Sequence, residues 1–168
     1  MAKKYNEFYR IIKDILKLDE FKKLKNYNHH EGNRYDHCLS VAYYTYLVTK
    51  KLHLNYKEAT RAALLHDFFT DEVKDLGSFK RLNKHPNVAL ENASKYFELT
   101  KLQKDIISKH MFPFTFIPPK YIESWLVNII DNLVAISEKG YIKKKQLSAA
   151  STFLFLLGLS YLRVYLYN

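Results

Sequence analysis

Glycine, proline and cysteine are all scarce in this chain, which has 4 Gly, 4 Pro and 1 Cys among 168 residues. So few turn-forming residues argue against an all-β protein and against flexible linkers. The glycines are isolated from one another, which excludes the glycine-rich loops that hold phosphates in P-loop and dinucleotide-binding proteins. The length predicts a single domain over 1–168.

The single cysteine, Cys38, excludes an internal disulfide framework and is typical of a protein from the reducing cytosol. Its neighbours Leu39, Val41 and Ala42 are apolar, whereas a reactive thiol needs an electropositive setting. We therefore interpret Cys38 as a small core residue and expect a cytoplasmic protein.

Long apolar runs are also missing. The N-terminal segment, MAKKYNEFYRIIKDILK, is interrupted by charge every few residues and lacks the apolar core of a secretory signal. An uncharged stretch at 147–162 has 16 residues, fewer than the ~20 that span a bilayer, and it contains three serines and a threonine. A buried core helix over about 146–166 is favoured over a membrane anchor, so we expect no membrane association.

Acidic residues are fewer than basic ones, 17 against 27, and the net charge is +10. This excess is compatible with nucleic acid binding. However, 22 of the basic residues are Lys and only 5 are Arg, whereas base and phosphate recognition favours Arg. We interpret the excess as a solvated lysine surface that attracts small anionic substrates, rather than as a nucleic acid interface.

Apolar residues recur with helical period along nearly the whole chain, which predicts an all-α fold. The pattern predicts an amphipathic helix over 5–18 and a second helix over about 34–52. Start signals predict four further helices: after Asn55, from Pro86, after Thr100, and over 120–138.

Two stretches are predicted to be irregular. The segment 71–83 is polar, and FPFTFIPP at 112–119 contains residues before proline, which avoid the α region. Pro86 is expected at the first position of its helix, which places His85 at the helix mouth. Because binding loops are held by a rigid scaffold, we expect both stretches to border a functional site.

Six polar residues lie where the helical pattern predicts a core: His37, His66, Asp67, His85, His110 and Asp131. A buried carboxylate is costly unless it is paired or binds a metal, and a buried imidazole needs hydrogen-bond partners. One inward histidine by itself is more often a hydrogen-bonded core residue than a ligand. All six together favour a pair of divalent cations, and this donor set suits Fe, Mn, Co, Ni or Zn.

The ordered set H(37)…HD(66–67)…H(85)…H(110)…D(131), with gaps of 29, 19, 25 and 21 residues, resembles the HD superfamily of metal-dependent phosphohydrolases. The flanking sequences RYDHCLSVAYYTYLV and RAALLHDFF are similar to the first two motif helices of that family, and the match covers about 34–138. The resemblance implies a compact, single-domain helical bundle. The helices predicted at 5–18 and 146–166 would then pack on this HD core.

The histidines at 85 and 110 make the chain similar to the six-ligand, two-metal branch, which includes bacterial diadenosine tetraphosphate hydrolases. The resemblance implies one ion held by His37, His66, Asp67 and Asp131, and a second held by Asp67, His85 and His110. It also implies hydrolysis of a phosphoester or phosphoanhydride in a nucleotide-like substrate by a hydroxide between the ions, with Asp67 as the bridging catalytic residue.

Substrate contacts are less well defined by sequence. Arg34 lies three residues before His37 on the same helical side and is the candidate phosphate contact, with a solvated surface Arg as the alternative. Asp71 and Glu72 are candidate proton donors. Phe112, Phe114 and Phe116 would either stack on a nucleobase or pack in the core.

The motif also departs from relatives in ways that leave the substrate open. Thr70 stands where many members have a phosphate-contacting lysine, and the Gly-Tyr-Pro signature of cyclic-dinucleotide phosphodiesterases is absent. The alternative function is a non-catalytic, metal-containing regulatory module that binds RNA or a partner protein. Metal identity and oligomeric state are left open by the sequence.

Overall fold

The computed structural model describes residues 2–29 and 32–138, and its architecture confirms the all-α prediction. The helices are α1 (Ala2–Lys17), α2 (Asp19–Lys22), α3 (Arg34–Lys51), α4 (Tyr56–Leu65), α5 (Ser78–Tyr96), α6 (Lys101–Lys109) and α7 (Ile122–Glu138). A 3₁₀ turn (Lys23–Asn26) and a two-residue antiparallel pairing of β1 (Asn28–His29) with β2 (Gly32–Asn33) connect α2 to α3. The helix predicted at about 146–166 lies outside the described residues.

The N-terminal helix is amphipathic, as its sequence pattern predicted. Phe8, Ile12 and Ile15 lie on its buried face and are at most 5% exposed. On its other side, Asp14 accepts two hydrogen bonds of 2.7 Å from Arg61 of α4. The buried apolar face and the Asp14–Arg61 pair together attach α1 to the rest of the bundle.

The central helix α3 runs from Arg34 to Lys51, close to the predicted 34–52. Asn33 caps it by accepting a 2.9 Å hydrogen bond from the backbone N–H of Asp36. Its buried face carries His37, Val41 and Thr45 at helical spacing, and the helix packs against α4 and α7. Cys38 is fully buried beside this face, which confirms its prediction as a core residue.

The start signals of α4 and α6 are placed as predicted, but only one acts as a cap. Thr100 and Gln103 form the reciprocal capping box at the start of α6. Asn55 occupies the N-cap position of α4, yet its side-chain amide donates to Glu58 at 3.0 Å and makes no capping hydrogen bond. The sequence therefore predicted the N-cap residue of both helices correctly. It predicted the capping hydrogen bond correctly only for α6.

The helix around Pro86 is longer than predicted. It begins at Ser78 after Gly77, so the expectation of an irregular 78–83 and of a start at Pro86 is wrong. An interior proline removes one backbone hydrogen bond and disfavours the helix, which is why the sequence favoured a start at Pro86. Here Arg81 donates to the carbonyl of Lys74 at 3.2 Å and ties the first turn to the preceding segment. His85 therefore lies within α5 rather than at its mouth.

The stretch 112–119 is irregular, as predicted, and is anchored at its far end. Asp105 of α6, 7% exposed, accepts hydrogen bonds from Lys120 N at 2.9 Å and Ser124 Oγ at 2.7 Å. This carboxylate holds the beginning of α7 against α6. Within the residues that the structure describes, no helix is both long and apolar enough to cross a membrane.

Candidate metal centre

The structure brings all six residues predicted as metal ligands into one buried cluster between the helices. They come from α3, the end of α4, α5, the end of α6 and α7, and none is more than 8% exposed. Their ligand atoms form three overlapping groups, each within 4.8 Å: His37–His66–Asp67, His66–His110–Asp131, and Asp67–His85–His110. Residues separated by almost a hundred positions thus share one site.

Two of the histidines are oriented by the helices that they terminate. His66 is the C-cap of α4 and its Nδ1 lies 2.7 Å from the carbonyl of Ala63. His110 is the C-cap of α6 and its Nδ1 lies 2.8 Å from the carbonyl of Ile107. The last carbonyls of a helix lack intrahelical partners, so each accepts the Nδ1–H of the imidazole. This places a proton on Nδ1 and directs Nε2 into the cluster, where its lone pair can bind a metal ion.

His85 is oriented in the same way from inside α5, where its Nδ1 donates to the carbonyl of Arg81 at 2.8 Å. Its Nε2 lies 3.0 Å from Nε2 of His110. With both protons on Nδ1, two lone pairs face each other at this distance. Such an arrangement is stable only when a proton or a cation lies between the two nitrogens.

The two carboxylate oxygens of Asp67 face different histidines. Oδ1 lies 3.2 Å from Nε2 of His85 and 3.5 Å from Nε2 of His110, whereas Oδ2 lies 3.9 Å from Nε2 of His66. Burial would raise the pKa of this carboxyl, but the neighbouring His66 and His85 outweigh it and hold the pKa well below its usual range. Asp67 is therefore ionised, with one oxygen toward each side of the cluster.

His37 is held from α7 at both ring nitrogens. Its Nε2 lies 2.9 Å from Oδ1 of Asp131, and its Nδ1 lies 2.9 Å from Oε2 of Glu138. Burial opposes a charge on this imidazole, but the two carboxylates outweigh it and raise its pKa to about 10. Oδ1 of Asp131 is also 3.5 Å from Nε2 of His66, so this carboxylate serves two histidines.

The chemistry of the cluster fits a metal. Nε2 of the fully buried His66 makes no hydrogen bond with any residue that the structure describes. The atoms that face it across the cluster are carboxylate oxygens and other imidazole nitrogens, which are acceptors. Imidazole nitrogen together with carboxylate oxygen is a donor set that suits divalent first-row transition metals.

The comparison with known families agrees with this geometry. The model of the HD domain family matches residues 34–136, a range that contains all six clustered residues. The chain belongs to the HD domain family. HD domains bind divalent metal ions, and the histidine–aspartate cluster is able to hold one. Comparisons with curated proteins and with solved structures found no match.

The candidate phosphate contact of this HD domain, Arg34, is not a solvated surface residue. It is 9% exposed, and its Nη1 donates to the carbonyl of Phe69 at 2.7 Å. Its guanidinium carbon lies 3.7 Å from the centre of the Phe69 ring, and that ring stacks on His85 with 5.1 Å between centroids. Phe69 therefore links Arg34 directly to the cluster. Nε of Arg34 has no hydrogen-bond partner in the described parts of the chain.

The turn that follows Asp67 is held by a network that the sequence did not reveal. Glu72 accepts from the backbone N–H of Thr70 at 2.6 Å and from the amide of Asn92 at 2.7 Å. Asn92 also donates to the carbonyl of Phe68 at 3.1 Å. Glu72 thus holds the turn in place. Asp71 is exposed and accepts a hydrogen bond from Tyr27 at 3.1 Å.

The three phenylalanines of the FPFTFIPP stretch have different environments. Phe112 packs edge-on against Trp125, with 5.3 Å between ring centroids. Phe114 is 44% exposed and Phe116 is 73% exposed. Phe112 is thus half-buried against the exposed Trp125 and lies outside the core, and the other two rings are open to solvent beside the segment that carries His110.

Two residues that contact ligands were missed by sequence reasoning. Glu138 lies seven residues after Asp131, on the same face of α7, so helical periodicity was a usable signal. Asn128 donates to the carbonyls of His110 and Phe112, and it lies three residues before Asp131. The sequence analysis singled out neither residue, because their partners are distant in sequence.

Proposed function

We propose that this HD domain is a metal-dependent phosphohydrolase that cleaves a phosphoester or phosphoanhydride bond of a nucleotide-like substrate. The observation that carries the proposal is the placement of Asp67. Its two oxygens face separate histidine sets, as expected for a carboxylate shared by two ions. A structural metal site is normally closed by four ligands, whereas a shared carboxylate leaves coordination positions open for water and substrate.

The six residues divide into two half-sites around Asp67. His37, His66, Asp67 and Asp131 would hold one ion, and Asp67, His85 and His110 would hold the other. Divalent ions bound there would supply a nucleophile at neutral pH and neutralise charge on the phosphate. The hydrogen bonds from Nδ1 of each histidine orient the imidazoles for this role before any ion arrives.

Arg34 would bind the phosphate. Its guanidinium is stacked on Phe69 and held by the Phe69 carbonyl, and no carboxylate among the described residues pairs with it there. A buried guanidinium with an unused Nε–H is suited to a phosphate oxygen, because Arg pairs with phosphate through several parallel hydrogen bonds.

Hydrolysis forms a bond between a water oxygen and phosphorus and breaks the bond to the leaving oxygen, which takes up a proton. Of the two predicted proton donors, Glu72 is engaged with Thr70 and Asn92. Asp71 is exposed beside the HD turn and is the better candidate for this proton.

The exposed rings of Phe114 and Phe116 favour a substrate with a base that stacks on them.

The test is hydrolysis of a substrate panel by Mn- or Fe-loaded protein. The panel contains dinucleoside polyphosphates, nucleoside mono- and triphosphates, guanosine tetraphosphate, cyclic nucleotides and an aryl phosphate. We expect turnover of at least one nucleotide, which chelator and Asp67→Ala both abolish. Asp75→Ala is the matched control, because Asp75 is an exposed carboxylate nearby in sequence.

The outcomes separate the two candidate functions. Bound metal with no turnover across the panel would favour the non-catalytic module that binds RNA or a partner protein. Turnover that survives Asp67→Ala would identify a contaminating hydrolase and remove the support for catalysis by this cluster.

A further inference from the structure

The four clustered histidines are not held alike. His66, His85 and His110 each direct Nδ1 to a neutral backbone carbonyl within their own helix. His37 directs Nδ1 to a carboxylate, Oε2 of Glu138, at 2.9 Å. This partner lies 101 positions away on α7. The Nδ1 partner of His37 is therefore a side-chain carboxyl group, whereas the Nδ1 partners of the other three histidines are backbone carbonyls.

The difference arises from the spacing of two acidic residues on α7. Asp131 and Glu138 are seven residues, or about two helical turns, apart, so both project from one face of the helix. One carboxylate contacts each nitrogen of His37. His37 is 1% exposed and the side chain of Glu138 is 22% exposed, so the pair is shielded from water more than a surface contact would be.

Carboxylates are also distributed unequally. The His37 side of the cluster has Asp131, one oxygen of Asp67, and Glu138 behind the imidazole. Among the residues that the structure describes, the His85 and His110 side has the other oxygen of Asp67 alone. When a carboxylate accepts the Nδ1–H of an imidazole, the Nε2 of that imidazole becomes a stronger electron-pair donor to a metal ion. A neutral carbonyl has the same effect to a smaller degree.

Building on the proposed two-ion site, we infer that Glu138 is a positioning residue that makes the two half-sites unequal. The half-site of His37, His66 and Asp131 holds its ion tightly. The half-site of His85 and His110 holds a weaker, exchangeable ion. The protein is then purified with one retained ion, and the second enters when free metal is supplied.

The experiment measures Zn²⁺ binding to the full chain by competition with a chromophoric chelator. We expect two dissociation constants for the wild type. Glu138→Gln keeps the hydrogen-bond acceptor and removes the charge, and it is expected to weaken the tighter ion roughly 10- to 100-fold. The weaker constant should stay within about twofold. Glu123→Gln is the matched control, since Glu123 is a buried carboxylate of α7 that accepts from Asn55 N at 3.1 Å and contacts no ligand.

A second measurement separates positioning from folding. In the Zn-loaded protein, the Nδ1–H proton of His37 should resonate at lower field than those of the other three histidines, and Glu138→Gln should move it upfield. Glu138→Asp retains the charge and is expected to recover part of the affinity. Thermal unfolding of each metal-free variant checks that the fold is intact.

Several results would overturn the inference: equal affinities in the wild type, an unchanged tighter constant in Glu138→Gln, equal weakening of both ions, or the same loss in Glu123→Gln. None of these results depends on catalysis. A protein that shows the predicted asymmetry but no turnover would retract the proposed hydrolase activity and leave the inference standing. Turnover together with equal affinities for the two ions would overturn the inference and leave the proposed hydrolase activity standing.

Discussion

Asn128 donates its side-chain amide to the backbone carbonyl of His110, and α7 thereby holds a ligand that belongs to α6. The same amide nitrogen contacts the carbonyl of Phe112 at 2.9 Å. Because Asp131 lies one turn further along α7, a single helix face positions residues on both sides of the cluster.

Replacement of Asn128 should therefore weaken both the fold and the metal site. Asn128→Leu leaves two carbonyls without their donor, and each loss is expected to cost roughly 1–3 kcal/mol in the free energy of unfolding. The ion next to His110 should also bind less tightly. Urea unfolding of the metal-free protein and Zn²⁺ titration measure the two effects.

The control for this variant is Asn132→Leu, one turn later on α7, where the exposed amide contacts only its own helix at 2.8 Å. A surface change of this kind should alter the unfolding free energy by less than about 0.5 kcal/mol. Equal effects of the two variants would show that the His110 contact has no special role.

Metal stoichiometry should distinguish the two aspartates. Asp67→Ala is expected to lose both ions, because its oxygens face both histidine sets. Asp131→Ala is expected to lose one, since its carboxylate contacts His37 at 2.9 Å and His66 at 3.5 Å, which belong to the same half-site. Elemental analysis after removal of loosely bound metal measures the counts. An Asp67→Ala protein with one ion per chain would show that the carboxylate does not bridge.

Arg34 should control substrate affinity. Arg34→Lys keeps a positive charge but loses the planar donor set that stacks on Phe69, so kcat/KM for a phosphorylated substrate should fall roughly 10- to 100-fold. Steady-state kinetics measure this change. Arg61→Lys is the control, because Arg61 pairs with Asp14 of α1 and should affect stability without affecting KM. Unchanged kinetics for Arg34→Lys would remove this residue from the substrate site.

Because of Glu7, the free energy of unfolding should depend on pH in the acid range. Hydrogen bonds from Lys50, Tyr46 and Tyr56 lower the pKa of Glu7 from 4.5 to about 2. A carboxyl whose pKa is depressed in the folded state stabilises that state above its unfolded pKa, and the contribution is lost as the pH falls through its folded pKa. The stability advantage of the wild type over Glu7→Gln should be constant above about pH 5.

That advantage should shrink between pH 4.5 and about 2, where Glu7 becomes protonated in both states. Urea unfolding of the wild type and Glu7→Gln across this range measures it. A difference that is the same at pH 2 and pH 7 would contradict the assignment of these three hydrogen bonds as the cause.

Local sequence patterns were sufficient for most of the helices and for the composition of the cluster. The capping box at Thr100 and the burial of His37, His66 and Asp131 follow from spacing within a few residues, because helix caps and helix faces are properties of one turn or two. The start of α5 was missed for the same reason, since Pro86 is a strong local signal for a helix start and the helix begins eight residues earlier, at Ser78.

The functional geometry was decided by tertiary packing. Arg34 stacks on Phe69, Asn128 holds His110, and Glu138 contacts His37 across 101 positions. Each side chain could be placed on a helix face from its position in the sequence. Its partner could not, because the partner is determined by which helices pack together and at what angle. The sequence by itself therefore determined which residues enter the core, and the packed bundle decided what each of them contacts there.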